Sequence, residues 1–384
     1  MNYRDIDCKI VNIEGFSLSS PYGMGDSLGQ PLGVKSIGLV KVYTDSGVYG
    51  LGETYAGVYA PELIQPIVEF LKDRFVGCLV GDELSLDSAG DIPFVGGSGI
   101  FQSVYSAIEI AIWDIRGKIL EVPSSHLMGN AVEKVPLYAS SGTVVFSPDD
   151  ISKDVDNITK LGYSSYKMRV GYQDWGSDLK RVESARLALE CGELMVDAIM
   201  GTLRPAWSTK KAIQRSRDLE KFGVRWLEEP VHPSNINGLS EVRRNSNIPI
   251  AAGEAYTSQR EYDAILGTQS VDVLQFDATH SGGISACLRL AEYSKKMGLD
   301  NALHVWGSAV AIAANLKTAV ATPFVDIVEI PMVSLELSKH MWVQQPNIEN
   351  GVYKADDIPG LGVYLNNSLL DTFKFKANSG YRLP

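Results

Sequence analysis

Short apolar runs alternate with longer amphipathic stretches from about residue 134 onward. Between the runs, segments such as Lys210–Phe222 and Ser285–Met297 repeat apolar residues at helical spacing. Continuous apolar strands separated by amphipathic helices indicate βαβ units and a parallel sheet buried on both faces. Because no G-x-G-x-x-G follows a strand, the repeat favours a β/α barrel over an open doubly wound sheet. The eight runs are Val135–Ala139, Ser165–Val170, Leu194–Ala198, Arg225–Glu229, Ile248–Ala252, Val271–Phe276, Asn301–Val305 and Asp326–Ile330.

The first 130 residues have a different pattern. Ile37–Tyr43 and Gly47–Gly52 flank a polar turn and predict a β-hairpin. Pro61–Phe75 and Gly99–Leu120 predict helices, so this part forms a small α+β domain. The Gly- and Ser-rich composition of Ser19–Gly33 predicts a mobile loop or a plain connector. The segment after residue 333 lacks the barrel repeat, and we expect it to return to this first domain.

Composition limits the possible partners. The 35 Lys and Arg residues against 46 Asp and Glu give a net charge of −11, and without a basic run the chain is a poor candidate for binding nucleic acid. No apolar run approaches the ~20 residues that cross a bilayer, and charged residues interrupt the N-terminal stretch that a signal peptide requires. The four cysteines are widely spaced, which indicates neither a disulfide framework nor a zinc cluster. We therefore expect a cytoplasmic protein without a membrane partner.

Ionisable residues mark the ends of the predicted barrel strands. They recur once per repeat from the second strand onward, at spacings of 23 to 31 residues. The carboxyl ends of barrel strands meet at one face, which is where barrel enzymes place their catalytic residues. The series therefore predicts an active site built from Lys167 with Arg169, Asp197, Glu228 with Glu229, Glu254, Asp277, His304 and Glu329.

Three acidic residues of this series come from adjacent strands. Asp197, Glu228 and Glu254 would point into one mouth and would repel one another unless they were neutralised. Three carboxylates that leave room for water and substrate suit octahedral Mg²⁺, and Mn²⁺ should substitute for it. An acidic cluster that shares protons or is paired from outside is the alternative.

The remaining members of the series suggest acid–base chemistry. Asp277 precedes His304 by one strand, and an aspartate beside a histidine fixes the imidazole tautomer and raises its basicity, so this pair predicts a general base. Lys167 would place a cation on the other side of the substrate. Glu329 is predicted to hydrogen-bond to a substrate oxygen if it holds a proton, or else to act as a supporting structural acid.

These positions carry a family resemblance. The chain resembles the enolase superfamily, in the mandelate racemase and acid-sugar dehydratase subgroup. The resemblance implies a (β/α)₇β TIM-like barrel over residues 131–354, beneath an α+β capping domain that residues 1–130 form with 355–384. It also implies that Glu228, the first glutamate of its pair, is the metal ligand, and that the protein forms homo-oligomers, from dimers to octamers. The matching segments are Tyr166–Arg169, Met195–Asp197, Trp226–Pro230, Ala252–Glu254, Asp277, His304–Gly307, Glu329 and Gly360–Gly362.

The resemblance implies Mg²⁺-dependent abstraction of the proton α to the carboxylate of a sugar acid, followed by β-elimination. An acid-sugar dehydratase is the first expectation. A cycloisomerase or epimerase acting on a sugar-acid lactone is an alternative, because His304–Gly307 is especially similar to enzymes of the galactarolactone cycloisomerase type. A metal-binding barrel without turnover, which would serve as a ligand sensor, is a third.

Two residues depart from the subgroup's pattern. Arg169 stands where a second lysine usually acts as base, and since arginine keeps its proton we expect it to anchor a substrate carboxylate or hydroxyl. Losing that second base favours a one-base reaction. Ile199 stands where an asparagine is common, so a polar contact near the metal is either missing or supplied by another residue. In the first domain, Tyr22 and Tyr55 are predicted to shape the pocket for a polyol chain.

Overall fold

The computed structural model describes residues 2–23, 30–83, 92–129 and 131–382. Its first part is an antiparallel sheet in the order β1-β2-β3, and the predicted hairpin lies between β2 and β3. The sheet is formed by β1 (Ile10–Pro21), β2 (Val34–Thr44) and β3 (Tyr49–Thr54), and the helices that follow are α1 (Ala56–Tyr59), α2 (Ile64–Leu71), α3 (Ile100–Ile119) and α4 (Ser124–Leu127).

Helix α3 packs directly on strand β3, and two glycines allow the close contact. A Cβ atom on Gly50 or on Gly52 would lie within 2 Å of the carbonyl oxygen of Ala111 or Ala107, respectively. No side chain fits at such a distance, so both positions require glycine. The long helix is thereby fixed between the sheet and the barrel.

The prediction of a loop over Ser19–Gly33 is partly wrong. Ser19 and Pro21 belong to β1, where they pair with Ser36 and Val34. Their polar composition concealed the strand, which depends on pairing with β2 rather than on local preference. Residues 24–29 of that loop lie outside the described residues, and residues 31–33 form a 3₁₀ turn.

Eight parallel strands close into a barrel, with seven helices between them. The strand order runs from β4 to β11, and β11 pairs with β4 to close the ring, which confirms the predicted (β/α)₇β architecture with its α+β cap. The strands are β4 (Lys134–Ser140), β5 (Ser165–Arg169), β6 (Glu193–Asp197), β7 (Val224–Glu228), β8 (Ile250–Ala252), β9 (Val273–Phe276), β10 (Asp300–Leu303) and β11 (Ile327–Pro331). The helices are α5 (Pro148–Lys160), α6 (Trp175–Leu189), α7 (Thr209–Leu219), α8 (Ile236–Asn245), α9 (Gln259–Gly267), α10 (Ile284–Lys296) and α11 (Ala309–Ala321).

The barrel interior is packed with side chains from almost every strand. Trp226 and Tyr138 meet edge to face at 5.5 Å between ring centroids. Around them lie Met195, Ala251, Val273, Ala302 and Ile327, all buried. This layer makes the barrel a solid core and supports the residues at the carboxyl ends of the strands.

The C-terminal segment touches both parts of the molecule. The hairpin of β12 (Ile348–Glu349) and β13 (Val352–Lys354) adds to the barrel sheet beside β4, while Ser379 Oγ hydrogen-bonds to Ser36 Oγ of β2 at 2.6 Å. Helices α12 (Glu336–Lys339) and α13 (Asn367–Thr372) complete the fold. Among the helices of the described residues, none combines the length and apolarity that a bilayer crossing requires.

Candidate active site

The ionisable residues predicted from the strand repeat gather at one end of the barrel. Register pairs Arg169 with Asp197 and Asp197 with Glu228, so β5, β6 and β7 end at the same level. Glu254 follows β8, while Asp277 and His304 come directly after β9 and β10. The whole predicted series therefore shares one face, the face at which parallel strands end.

Lys167 lies at the centre of this face and is buried among carboxylates. Its Nζ is 2.7 Å from Glu228 Oε1, 2.9 Å from Glu329 Oε1 and 3.8 Å from Asp197 Oδ2. Burial lowers the pKa of this lysine, but Glu228 and Glu329 more than compensate and raise it well above its usual value. These carboxylates therefore favour the charged form of Lys167.

His304 and Asp277 form the predicted dyad. His304 Nδ1 lies 2.9 Å from Asp277 Oδ2, and the other oxygen of Asp277 accepts hydrogen bonds from Thr279 and from Asn315 Nδ2. These contacts hold the carboxylate in place, and with it the imidazole. His304 Nε2 is left facing the pocket, 3.4 Å from Glu254 Oε2.

Glu329 connects the two sides of the site. Its Oε1 contacts Lys167, while its Oε2 accepts the backbone N–H of Val305 at 3.0 Å and lies 3.9 Å from His304 Nε2. Burial raises the pKa of Glu329, but the positive charges of Lys167 and His304 have the larger effect. The net result is a pKa lowered to about 2. The contact with Lys167 therefore favours the ionised carboxylate over the protonated form considered from the sequence.

Burial and mutual repulsion raise the pKa values of two predicted metal ligands, Asp197 and Glu254. Burial, followed by the charge of Glu228, raises the pKa of Asp197 well above its usual value. Burial also raises the pKa of Glu254, against the opposing effect of His304. An oxygen-only donor set whose negative charges are incompletely balanced fits Mg²⁺. In the part of the chain that the structure describes, however, no three Asp, Glu, His or Cys side chains are already arranged to hold a metal ion.

The two glutamates at the end of β7, Glu228 and Glu229, have different surroundings. Glu228 accepts hydrogen bonds from the Lys167 ammonium and from the indole N–H of Trp226, whose Nε1 lies 3.1 Å from Glu228 Oε2. Glu229 has a left-handed backbone, with φ 41°, and its Oε2 accepts the N–H of Gly201 at 3.3 Å. Burial, and then Glu254, raise the pKa of Glu229 well above its usual value. Glu228 thus lies at the centre of the charged cluster, while Glu229 points toward the loop after β6.

A pocket of about 110 Å³ opens above these groups. Tyr22 and Tyr55, both predicted from the sequence, line it. The Tyr55 ring meets the His304 ring edge to face at 5.2 Å and the Tyr59 ring at 5.6 Å. Tyr381, at the end of the chain, packs on Tyr59 at 5.5 Å and completes this aromatic side. No pattern in the sequence pointed to Tyr381, because only the returning C-terminus brings it to the pocket.

Trp306 and Lys35 were also missed as site residues. The Trp306 ring stacks on the Arg169 guanidinium at 4.2 Å, which fixes that cation at the pocket wall. Behind the ring, the buried Lys35 donates to the Trp306 carbonyl at 2.5 Å. Trp306 could have been suspected from its place two residues after His304, whereas Lys35 lies in an apolar strand and gives no such sign.

Comparison with known proteins accounts for this arrangement. Residues 150–369 match the enolase C-terminal domain-like family, and residues 30–129 match the mandelate racemase / muconate lactonizing enzyme N-terminal domain. The chain belongs to this family of the enolase superfamily. It is therefore an enzyme, a lyase or an isomerase.

Members with different reactions are similarly related to it. L-talarate/galactarate dehydratase of Salmonella typhimurium is 28% identical over 88% of this chain and 82% of that protein. D-galactarolactone cycloisomerase of Agrobacterium fabrum is 29% identical over 73% and 76%. The crystal structure of the 3,6-anhydro-D-galactonate cycloisomerase of Zobellia galactanivorans superposes with a TM-score of 0.85, at 27% identity, covering 96% of this chain and all of that one.

The two residues that depart from the pattern of this mandelate racemase-like family both line the pocket. Arg169 is held by the Ser141 carbonyl at 3.0 Å and by Ser140 Oγ at 3.2 Å. Ile199 has a left-handed backbone, with φ 44°, and donates its N–H to Asp197 Oδ1 at 2.7 Å. A β-branched residue rarely adopts this conformation, whereas asparagine adopts it readily.

Proposed function

We propose that this enzyme removes the proton α to the carboxylate of a sugar acid and then expels the β-hydroxyl, so that it acts as an acid-sugar dehydratase. The observation that carries the proposal is the buried His304–Asp277 dyad, which lines the same pocket as the Lys167 ammonium. An α-proton of a carboxylate is very weakly acidic, so its removal requires both a positioned base and stabilisation of the dianion that forms.

His304 is the base in this proposal. Burial lowers the pKa of its imidazole, but Glu254, the hydrogen bond to Asp277 and Glu329 raise it to about 10 overall. Neutralising the charge of Glu254 would lower that pKa toward the operating pH and favour the basic form of the ring. After abstraction, the imidazolium can return its proton to the departing β-hydroxyl.

Asp197, Glu228 and Glu254 would hold Mg²⁺, with Mn²⁺ as a substitute. When bound, this ion supplies Lewis-acid stabilisation of the negative charge that develops on the substrate carboxylate. Lys167 and Arg169 provide fixed positive charge on the same side of the pocket. Glu329 positions Lys167 and the backbone after His304, and does not need to donate a proton.

Cycloisomerisation is the second candidate, and the aromatic side of the pocket favours it. Tyr22, Tyr55 and Tyr59 present ring faces together with hydroxyl groups, which suits a lactone or anhydro ring as well as an open chain. In that reaction His304 removes the same α-proton, but the β-oxygen that leaves belongs to the ring, and the product keeps the formula of the substrate.

The test is to incubate the purified protein and Mg²⁺ with aldonic and aldaric acids and their lactones in D₂O. Dehydration predicts a 2-keto-3-deoxy acid with loss of water. Solvent deuterium incorporated at an unchanged formula would identify a cycloisomerase or an epimerase instead. If no α-proton exchanges in any acid, the proposed chemistry is wrong and the sensor alternative gains support.

A further inference from the structure

Positive charge in the pocket is confined to one end. Every Lys and Arg of the chain lies among the described residues, and only Lys167 and Arg169 line the pocket. Both come from β5, two residues apart on the same side of the strand. An anionic group of the substrate therefore finds its cations only beside the metal-ligand candidates.

These two cations can serve one carboxylate. Lys167 already holds Glu228 and Glu329 at 2.7 and 2.9 Å, so its donors are largely taken. Arg169 uses two of its nitrogens on Ser141 and Ser140 and retains further N–H groups. A carboxylate next to the reacting carbon would occupy that remaining capacity.

Apart from Lys167, Arg169 and the His304 imidazole, the described lining of the pocket has no cationic side chain that could receive a second carboxylate. Its uncharged residues include Tyr59, Tyr381, Val58, Val144, Val333 and Thr143. Phenol and threonine hydroxyls can bind substrate hydroxyls, and the aromatic faces can bind a carbon skeleton. A carboxylate buried against them would lose its hydration and gain only neutral hydrogen-bond partners, with no cation to balance its charge.

The nearby cations are directed elsewhere. Lys35 lies behind the Tyr22 and Trp306 rings, with its Nζ 5.3 and 5.0 Å from their centroids. Arg204, near the loop after β6, donates to the carbonyls of Leu203 and Gly201 at 2.9 and 3.2 Å. Arg382, next to Tyr381, is exposed and is not among the pocket residues.

We propose that the substrate is a monocarboxylic sugar acid, either an aldonic acid or its anhydro or lactone form, and not an aldaric acid. The inference rests on the proposed function, since it assumes that the substrate carboxylate lies beside Lys167 and Arg169. It separates this enzyme from the relative whose name gives galactarate, a dicarboxylic acid, as its substrate. The far end of the substrate is uncharged and contacts the tyrosines.

The test compares aldonic and aldaric acids that share their configuration at C2 to C5. Binding to the Mg²⁺-loaded protein is measured by calorimetry, and turnover is followed separately by α-proton exchange in D₂O. We expect each bound aldonate to exceed its matched aldarate in affinity by tenfold or more, as for one charge-assisted hydrogen bond. Aldonates that bind selectively without exchange would overturn the proposed reaction but support this inference.

An aldarate that binds as tightly as its aldonate would overturn the inference, and Arg382→Gln would then show whether Arg382 supplies the missing cation. If neither acid of any pair binds, both proposals fail.

A gain-of-function pair adds a second test. Tyr381→Arg should improve aldarate binding at least tenfold over Tyr381→Gln, which opens the same space without charge. Equal improvement by both variants would contradict a requirement for charge.

Discussion

The two sides of the pocket are built from different chemistry. The barrel side carries ion pairs and the hydrogen-bonded dyad of His304 and Asp277. Glu329 contacts both Lys167 and His304 and so connects the ion pairs to the dyad. The capping side presents phenol rings, among them Tyr22 and Tyr55. The two kinds of group come from different parts of the molecule, because the ionisable residues lie at the rigid strand ends, while the tyrosines that line the pocket belong to the cap and the chain end.

The capping domain does contain buried charges, but it uses them to dock on the barrel. Glu53 of β3 accepts the backbone N–H groups of Ser308 and Ala311 at the start of α11. Glu109 of α3 accepts those of Ile284 and Ser285 at the start of α10. Both carboxylates thus bind helix N-termini, where negative charge is stabilised. These two carboxylates therefore fix the position of the cap on the barrel.

The largest expected effect comes from the barrel side. His304→Asn should lower α-proton exchange by roughly 10³-fold, within the range for loss of a general base. Lys167→Met should also lower turnover, because it removes positive charge beside the developing dianion. Exchange in D₂O is measured by proton NMR, with the exposed His340→Asn as a control. Full exchange in His304→Asn, with loss in Lys167→Met, would reassign the base.

The next effect concerns a cation buried in the cap. The pKa of Lys35 is lowered to about 7, mainly by burial and to a smaller extent by the charge of Arg169. The carboxylates of Glu53, Glu329 and Asp277 oppose this shift without cancelling it. Between pH 7 and 10.5 the unfolded chain holds this proton and the folded chain does not. Stability should therefore rise with pH from about 7, by up to roughly 1.4 kcal/mol per pH unit.

Lys35→Met tests this slope. Below pH 7 the wild type bears the full cost of a buried ammonium, so the variant should gain most there. As the pH rises toward 9, the difference in the free energy of unfolding should shift in favour of the wild type. Urea unfolding of both proteins at pH 6, 7.5 and 9 measures this difference in the free energy of unfolding. A difference that stays constant over this range would mean that Lys35 keeps its proton.

A matched pair of variants separates docking from positioning. Glu53→Gln and Glu109→Gln should each lower the free energy of unfolding by about 1–3 kcal/mol, because each turns an amide toward buried N–H groups. Only Glu53→Gln should lower kcat, by roughly tenfold, since Ser308 follows His304 by four residues and the intervening Trp306 stacks on Arg169. Equal kcat losses in both variants would indicate a general loss of docking.

The sequence predicted the barrel closely, because eight apolar runs at regular spacing have few other solutions. It also placed Lys167, Asp277 and His304 at one face, since strand ends converge by geometry. It could not reveal Lys35 or Tyr381, whose proximity to the pocket depends on how the cap and the chain end dock. The lowered pKa of Glu329 likewise follows from the contact with Lys167, which no spacing encodes.

Ile199 gives the smallest expected effect and tests what the family pattern means physically. Its left-handed backbone costs a β-branched residue about 1–2 kcal/mol, a cost that asparagine largely avoids. Ile199→Asn should therefore raise the free energy of unfolding by about 1 kcal/mol, less the small loss of a partly buried side chain. Ile199→Val keeps the strain and should show no such gain in urea unfolding. If the asparagine variant is the less stable of the two, then the packing of the Ile199 side chain in the pocket wall outweighs its backbone strain.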